Sequence, residues 1–437
     1  MENQNLTNNL NFHYRVKLCV VAYKFGNEKE IGEHLGTYHY FIEKMRTLAK
    51  KGVEVYVVCP WLSFTKKGST DFDGIKIVRY YPPLLNVIWA WPINRLVRLV
   101  YFKSTQRVVL KTVKKEKIDL VYIWQARETG YAICQIKERL GVPVYFRQIT
   151  AWHWHFARSV AEIFGKNSWY QKIKKFGWQK LADKILEFLL DNQSQKKFAE
   201  VIYKKADKII FLSQAAIKEG EELGLDKNKA VDLGIAIEED LFKPLNQKES
   251  LRKELGIRGS KVILFIGRIN FAEKGIGYLL ESLPEVIKTM PDVNLVIIGG
   301  GENEKMFRSI EELKIKNNVQ PIGKKPFTDL VKYINAADVF VTPSVWMEAF
   351  GQVTIEAMAC GVPVVTTDAG ASPEINLDSQ TGLVVPIKNS AKLAEGIIKI
   401  LRDSNLQRQL GENARQRVLD NYTYDVIINK FLEIIKL

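Results

Sequence analysis

Residues 337–368 read ADVFVTPSVWMEAFGQVTIEAMACGVPVVTTD, and this stretch decides the fold. ADVFVTPS (337–344) is an apolar run that ends on Thr-Pro-Ser, and GVPVVTTD (361–368) is a second one. Continuous apolar runs of this length mark strands covered on both faces, as in parallel sheets. Between them a small-residue helical pattern starts near Gly351. Strand, helix, strand in about 30 residues is the crossover unit that joins parallel strands. Two carboxylates mark it, Glu348 just before the helix and Glu356 inside it.

The same alternation extends outward. KVILFIGR (261–268) and NLVIIGGG (294–301) add two strands before it, giving four in the second half. In the first half VKLCVVAY (16–23), VEVYVVC (53–59), DGIKIVRYY (73–81), IDLVYIW (118–124), VPVYFRQ (142–148), ADKIIFLS (206–213) and KAVDLGI (229–235) read as strands. Helical patterns stand between them at TYHYFIEKMRTLAKKG (37–52), at the basic stretch 95–117 and at ETGYAICQIKERLG (128–141). Residues 241–260 are polar and read as a linker with a short helix. The expected class is α/β: two facing, doubly wound Rossmann-like domains with the ligand in the cleft at the carboxyl ends of the strands. The expected division is 1–240, 241–405 and a C-terminal pair of helices over 406–437.

Bulk properties agree with two domains. The chain has 437 residues, 46% of them hydrophobic, which is long for one core. No basic segment followed by an apolar one opens the chain, and no apolar run reaches the roughly 18 residues that span a bilayer. A cytoplasmic protein with four free thiols is expected, because the cysteines are far apart and none has zinc-ligand spacing. Net charge is +15, and residues 95–208 carry 24 Lys and Arg against 10 Asp and Glu. All tryptophans but Trp346 lie before residue 179. A basic, Trp-rich region suits an anionic membrane surface ahead of a nucleic acid, set against the plainer reading of a solvated basic face. DFD (71–73) reads as a turn before a strand rather than a metal site.

The chemistry collects at the ends of the second-half strands. The first ends at Gly267-Arg268, with Lys274 following; the second ends at Gly299-Gly300-Gly301. The third leads to Glu348, Phe350, Gly351 and Gln352, and the fourth to Gly370 and Glu374. Fixed cations and a helix N-terminus suit a diphosphate. A carboxylate accepts two hydroxyls, so Glu356 suits a ribose diol and Glu348 a second sugar. The ligand that fits is a diphosphate with a polyhydroxylated group at each end.

IGRINFAEKG (266–275), the glycine turn, AADVFVTPS, the two glutamates, EAMACGVPVVTTDAG and TGLVVP (381–386) resemble the C-terminal half of family-four retaining glycosyltransferases of the GT-B fold. The resemblance is dense over 261–386 and traceable earlier in KKGVEVYVV, DGIKIVRY and LGIAIEEDLFKP. It implies sugar transfer from a UDP-, GDP- or ADP-linked donor with retention at the anomeric carbon and without metal or cofactor. It implies that Arg268, Lys274 and Glu348 act in catalysis, and that Gly36, Gly267, Gly301, Ile322, Phe350, Gly351, Gln352 and Glu356 bind substrate. It implies that the helices after about 405 cross back to the first domain. The first half departs from the pattern. Leu35-Gly36 stands for a Gly-Gly pair, Ala236 for an aspartate, and Ile149 where a histidine often stands. His153 or His155, in TAWHWH, is the candidate replacement, with His153 taken as catalytic.

The expected function is hexosyl transfer to a glycan or lipid-linked acceptor in cell-envelope or polysaccharide synthesis, at the inner face of the plasma membrane. The competing reading is an inactive scaffold of the same fold that holds a nucleotide sugar; a GT-B epimerase fits the glutamate spacing less well.

Overall fold

The computed structural model describes residues 16–26, 35–61, 70–81, 91–124, 127–149 and 196–436, without the side chains of 35–37 and 91–98. These divide into two compact units, one of residues up to 147 with 196–209, the other of 148–149 with 210–436.

The first sheet has eight strands in the order β3-β4-β2-β1-β5-β6-β7-β8. They are β1 (Lys17–Val21), β2 (Glu54–Pro60), β3 (Asp71–Phe72), β4 (Ile75–Tyr80), β5 (Leu120–Trp124), β6 (Val144–Arg147), β7 (Lys208–Phe211) and β8 (Ala230–Asp232). β1 pairs in parallel with β2 on one side and β5 on the other. The direction of travel therefore reverses between β1 and β5, the usual ligand position in such sheets. Helix α1 (Leu35–Lys50) follows β1, and helix α2 (Trp91–Glu116) precedes β5. The DFD segment is a hairpin: β3 and β4 are antiparallel, and Asp73 and Gly74 both take positive φ. That is the mirror-image turn whose twist matches the strands, as Asp-Gly predicts. The single helix expected over 128–141 is two, Arg127–Cys134 and Lys137–Leu140.

The second sheet has six strands in the order β11-β10-β9-β12-β13-β14. They are β9 (Lys261–Ile266), β10 (Val293–Ile298), β11 (Val319–Gly323), β12 (Val339–Thr342), β13 (Val364–Thr367) and β14 (Gly382–Val385), all parallel. Four of these are expected from the sequence; the other two, β11 and β14, are the two edges. Successive residues of β9 feed opposite cores. Ile263 and Phe265 join one apolar cluster, and Val262, Leu264 and Ile266 join the other. Both faces are covered, so the strand shows no polar alternation. Ala414 and Val418 of the late helix Ser404–Asn421 belong to the second cluster.

Charge locks the amino ends of β9 and β12. Asp338 accepts from the Val262 amide at 2.7 Å and pairs with Arg252 at 2.6 Å and Lys248 at 3.2 Å. The Arg252 and Asp338 side chains are each 7% exposed. Burial pushes the Asp338 carboxyl up, but Lys248, Arg252 and the Val262 amide outweigh it and hold the group below the usual carboxylate range.

Candidate functional site

Leaving β9, the chain goes to β10 and β11 on one side of the sheet and to β12, β13 and β14 on the other. The reversal lies between β9 and β12. There the loops after the two strands meet. Lys274 Nζ donates to Glu348 Oε2 at 2.5 Å, and the Ser344 hydroxyl donates to the same oxygen at 3.1 Å. The lysine and glutamate side chains are 31% and 21% exposed. Among the described residues both hydrogen bonds to this carboxylate fall on Oε2.

Two glycines set this pair. Gly275 has φ +64°, and a Cβ there would lie 1.8 Å from the Pro343 carbonyl oxygen. Gly370 has φ +56°, and its Cβ would lie 2.5 Å from the backbone nitrogen and oxygen of Glu348. Only glycine permits both conformations and such close approach. The Ala371 amide also donates to the Glu348 carbonyl at 2.8 Å, and the Val345 amide to the Glu273 carbonyl at 2.9 Å. The backbone on either side of the pair is thus tied to the neighbouring loop.

The glycine turn continues the β9–β10 ladder. The Gly267 amide donates to Ile298, the Ile269 amide to Gly300 and the Glu302 amide to Ile269, at 2.9 to 3.0 Å. Gly301 bridges Ile269 in parallel. Arg268, between them, is 46% exposed and lies 3.9 Å from Glu273. The Gly323 carbonyl accepts from the Gly299 amide, which places the end of β11 and Ile322 beside the same turn.

The helix after Glu348, α4 (Gln352–Ala359, with Gln214–Glu222 as α3), begins at Gly351. Its first turn carries no acidic residue, so its positive end is not neutralised locally. Glu356 is 1% exposed and accepts from Gln352 Nε2 at 3.1 Å. Phe350 is buried against Tyr422, ring centroids 5.5 Å apart, so its ring serves packing and only its backbone remains for a ligand. Ser213 donates to the Ala349 carbonyl at 2.9 Å.

The sequence-derived residues therefore separate. Lys274 and Glu348 are in direct contact, Gln352 and Glu356 are joined by a hydrogen bond, and Gly267, Arg268 and Gly301 share one turn. Gly36 lies in the first turn of α1, in the other unit. His153 and His155 lie outside the described residues. Ile149 packs against the second unit's apolar cluster. Ser344 carries no functional signal in its own segment, and only the fold brings it to Glu348. Glu374, expected after the fourth strand among the residues that suit the ligand, instead gives its carboxylate to the Gln214 and Ala215 amides at 2.8 and 2.7 Å, capping α3.

Known proteins bear on this arrangement. Residues 247–417 match the model described as glycosyl transferases group 1, and residues 36–232 match glycosyltransferase family 4. Spore coat protein SA of Bacillus subtilis is 32% identical over 196 residues, 43% of this chain and 52% of that protein. Phosphatidyl-myo-inositol mannosyltransferase of Mycobacterium leprae is 32% identical over 181 residues, 40% of this chain and 46% of that protein. The matched stretches thus span about half the length of these curated relatives. Among solved structures, sucrose-phosphate synthase from Thermosynechococcus elongatus superposes with a TM-score of 0.72 at 18% identity, covering 96% of this chain and 98% of that one. HepE of Anabaena, in complex with UDP and glucose, gives 0.68 at 17% identity over 97% and 100%. At such identities the likeness shows the fold, two Rossmann-like domains of the GT-B type.

Proposed function

The chain belongs to the glycosyl transferases group 1 family, and from that premise we propose that it is a retaining, metal-independent hexosyltransferase using a nucleotide diphosphate sugar. The observation that carries this reading is the Lys274–Glu348 contact at the reversal of the second sheet, with Arg268 on the neighbouring turn. An ammonium has three donors, so Lys274 held by Glu348 keeps two for phosphate oxygens. Glu348 keeps Oε1 for a hydroxyl of the transferred sugar. Arg268 and the start of α4 complete a cationic cradle for the diphosphate. Glu356 takes the ribose diol, with Gln352 moving aside. In a retaining transfer the departing diphosphate gathers negative charge as the glycosidic bond breaks. Fixed cations aimed there lower the barrier without reorganising.

The acceptor in this reading is a glycan or lipid-linked molecule of envelope or polysaccharide synthesis. Support comes from the phosphatidyl-inositol mannosyltransferases among the relatives and from α2. From 103 to 117 every exposed side chain of that helix and its end is cationic: Lys103, Arg107, Lys111, Lys114, Lys115 and Lys117. Leu99 and Val100 are exposed before them. Such a face suits an anionic membrane surface, as does the cytoplasmic, peripheral location we propose. Among the described residues no helix is long and apolar enough to cross a membrane.

Ile149, apolar where the family resemblance implies a histidine, favours a second reading: a scaffold that binds the donor and transfers nothing. Incubation with UDP-, GDP- and ADP-sugars and membrane extract, with EDTA present, separates the two. Transfer with an unchanged anomeric configuration supports the enzyme. An inverted product contradicts retention, and donor binding without turnover of donor in any arm favours the scaffold.

A further inference from the structure

Two donors of different kinds hold the Glu348 carboxylate. Lys274 Nζ and the Ser344 hydroxyl both reach Oε2, at 2.5 and 3.1 Å. Lys274 is partly exposed and carries three donors on a flexible four-carbon stem. It can hold the carboxylate and turn toward a second anion as well. Ser344 is 2% exposed, and its hydroxyl turns on one side-chain bond. It has a single proton to give, and that proton goes to Glu348.

The backbone under Ser344 is fixed from two sides. Ser344 follows the end of β12, and the buried Thr367 hydroxyl, at the end of the neighbouring strand β13, donates to its carbonyl at 2.5 Å. Its chain neighbours Pro343 and Val345 both lie against Gly275, where a Cβ would come within 1.8 Å of the Pro343 carbonyl oxygen and 2.9 Å of Val345 Cγ2. The Val345 amide is bonded to the Glu273 carbonyl. Ser344 is therefore anchored to the sheet, whereas the Lys274 ammonium stands at the end of a long side chain.

We propose that Ser344 is a positioning residue for Glu348. The proposal rests on the transferase reading and deepens it. When the diphosphate arrives, Lys274 shares its donors with phosphate oxygens and holds the carboxylate less firmly. The Ser344 hydroxyl stays on Oε2. It keeps the plane of the carboxylate fixed and Oε1 turned to the transferred sugar. It does so as a neutral donor, so the carboxylate keeps its charge. Orientation of this kind counts in the transition state more than in ground-state binding. Ser344 acts through Glu348 and touches no reacting atom.

The test is a double-mutant cycle on Ser344→Ala and Glu348→Ala, in the full chain. Transfer to acceptor in membrane extract is followed with the nucleotide sugar varied. Ser344→Ala removes one hydroxyl and keeps the backbone ties, so its melting temperature should stay near native. Its kcat should fall about 10- to 100-fold, the range for losing a hydrogen bond to a charged group. Its KM and its dissociation constant for the donor should stay within about twofold of native, because the phosphate cations remain. In the Glu348→Ala background Ser344→Ala should cost nothing further, since the group it positions is gone. A native kcat in Ser344→Ala overturns the proposal, as does an equal loss in both backgrounds. A loss confined to donor affinity, or a Ser344→Ala protein that does not fold, also overturns it. Native protein that binds donor and turns none over sinks the transferase reading itself, and this proposal with it.

Discussion

The two ends of the six-stranded sheet use the same residue types to opposite purposes. At the amino end, Arg252, Lys248 and Asp338 are ion-paired, with Arg252 and Asp338 almost fully covered, and a backbone amide completes the set. At the carboxyl end, Arg268, Lys274 and Glu348 stand 46%, 31% and 21% exposed, and the glycines around them give up side chains so that loops can approach. Charge at the first end is enclosed by structure. Charge at the second is held in position and left within reach of a ligand. The difference between lock and site is therefore one of exposure and backbone constraint, not of residue identity.

That contrast can be broken most forcefully at Asp338. Asp338→Ala strands a buried guanidinium and should cost about 3–5 kcal/mol, read by denaturant unfolding. A loss under 1 kcal/mol would mean the amino-end network holds little. At the other end Lys274→Ala should reduce kcat/KM about 10²–10³-fold, roughly 2.7–4 kcal/mol of barrier, with a melting temperature near native. A variant that unfolds instead would place Lys274 with the structural charges.

Acid sharpens the comparison further. The folded Asp338 carboxyl titrates below its unfolded value of about 3.9. Its contribution is complete above that value and is lost as pH falls through the lower folded one. Native stability should drop in that window, and Asp338→Asn should flatten the drop. The smallest effect is expected at Lys332, which pairs with Glu254 at 2.6 Å, the same distance as Arg252 to Asp338, but with both side chains about half exposed. Lys332→Ala should leave the unfolding midpoint within experimental error, since exposed pairs contribute little.

The sequence made the central strands of this sheet legible because both their faces are buried and their runs are unbroken. The edges escaped notice for a physical reason. β11, VQPIG, is half-exposed and alternating, and it carries a proline that only an edge strand tolerates. β14 is a four-residue strand within TGLVVP, visible as a motif and not as an element. Site residues were readable where one loop supplies them, as with Glu348, Gly351 and Glu356. Contacts that join separate loops were not. Nothing in the chain announces that Ser344 would meet Glu348, or that Gly370 would lie against that glutamate's backbone.

The central claim is that the carboxyl end of the second sheet holds a nucleotide diphosphate sugar. Thermal unfolding of native protein and of Lys274→Ala, against UDP-, GDP- and ADP-sugars with EDTA present, tests it most directly. At about a hundred times its dissociation constant the right donor should add about 2.7 kcal/mol to native protein, and much less to the variant. If no nucleotide sugar stabilises the native chain, or if one stabilises both proteins equally, the site described here is not where the donor binds.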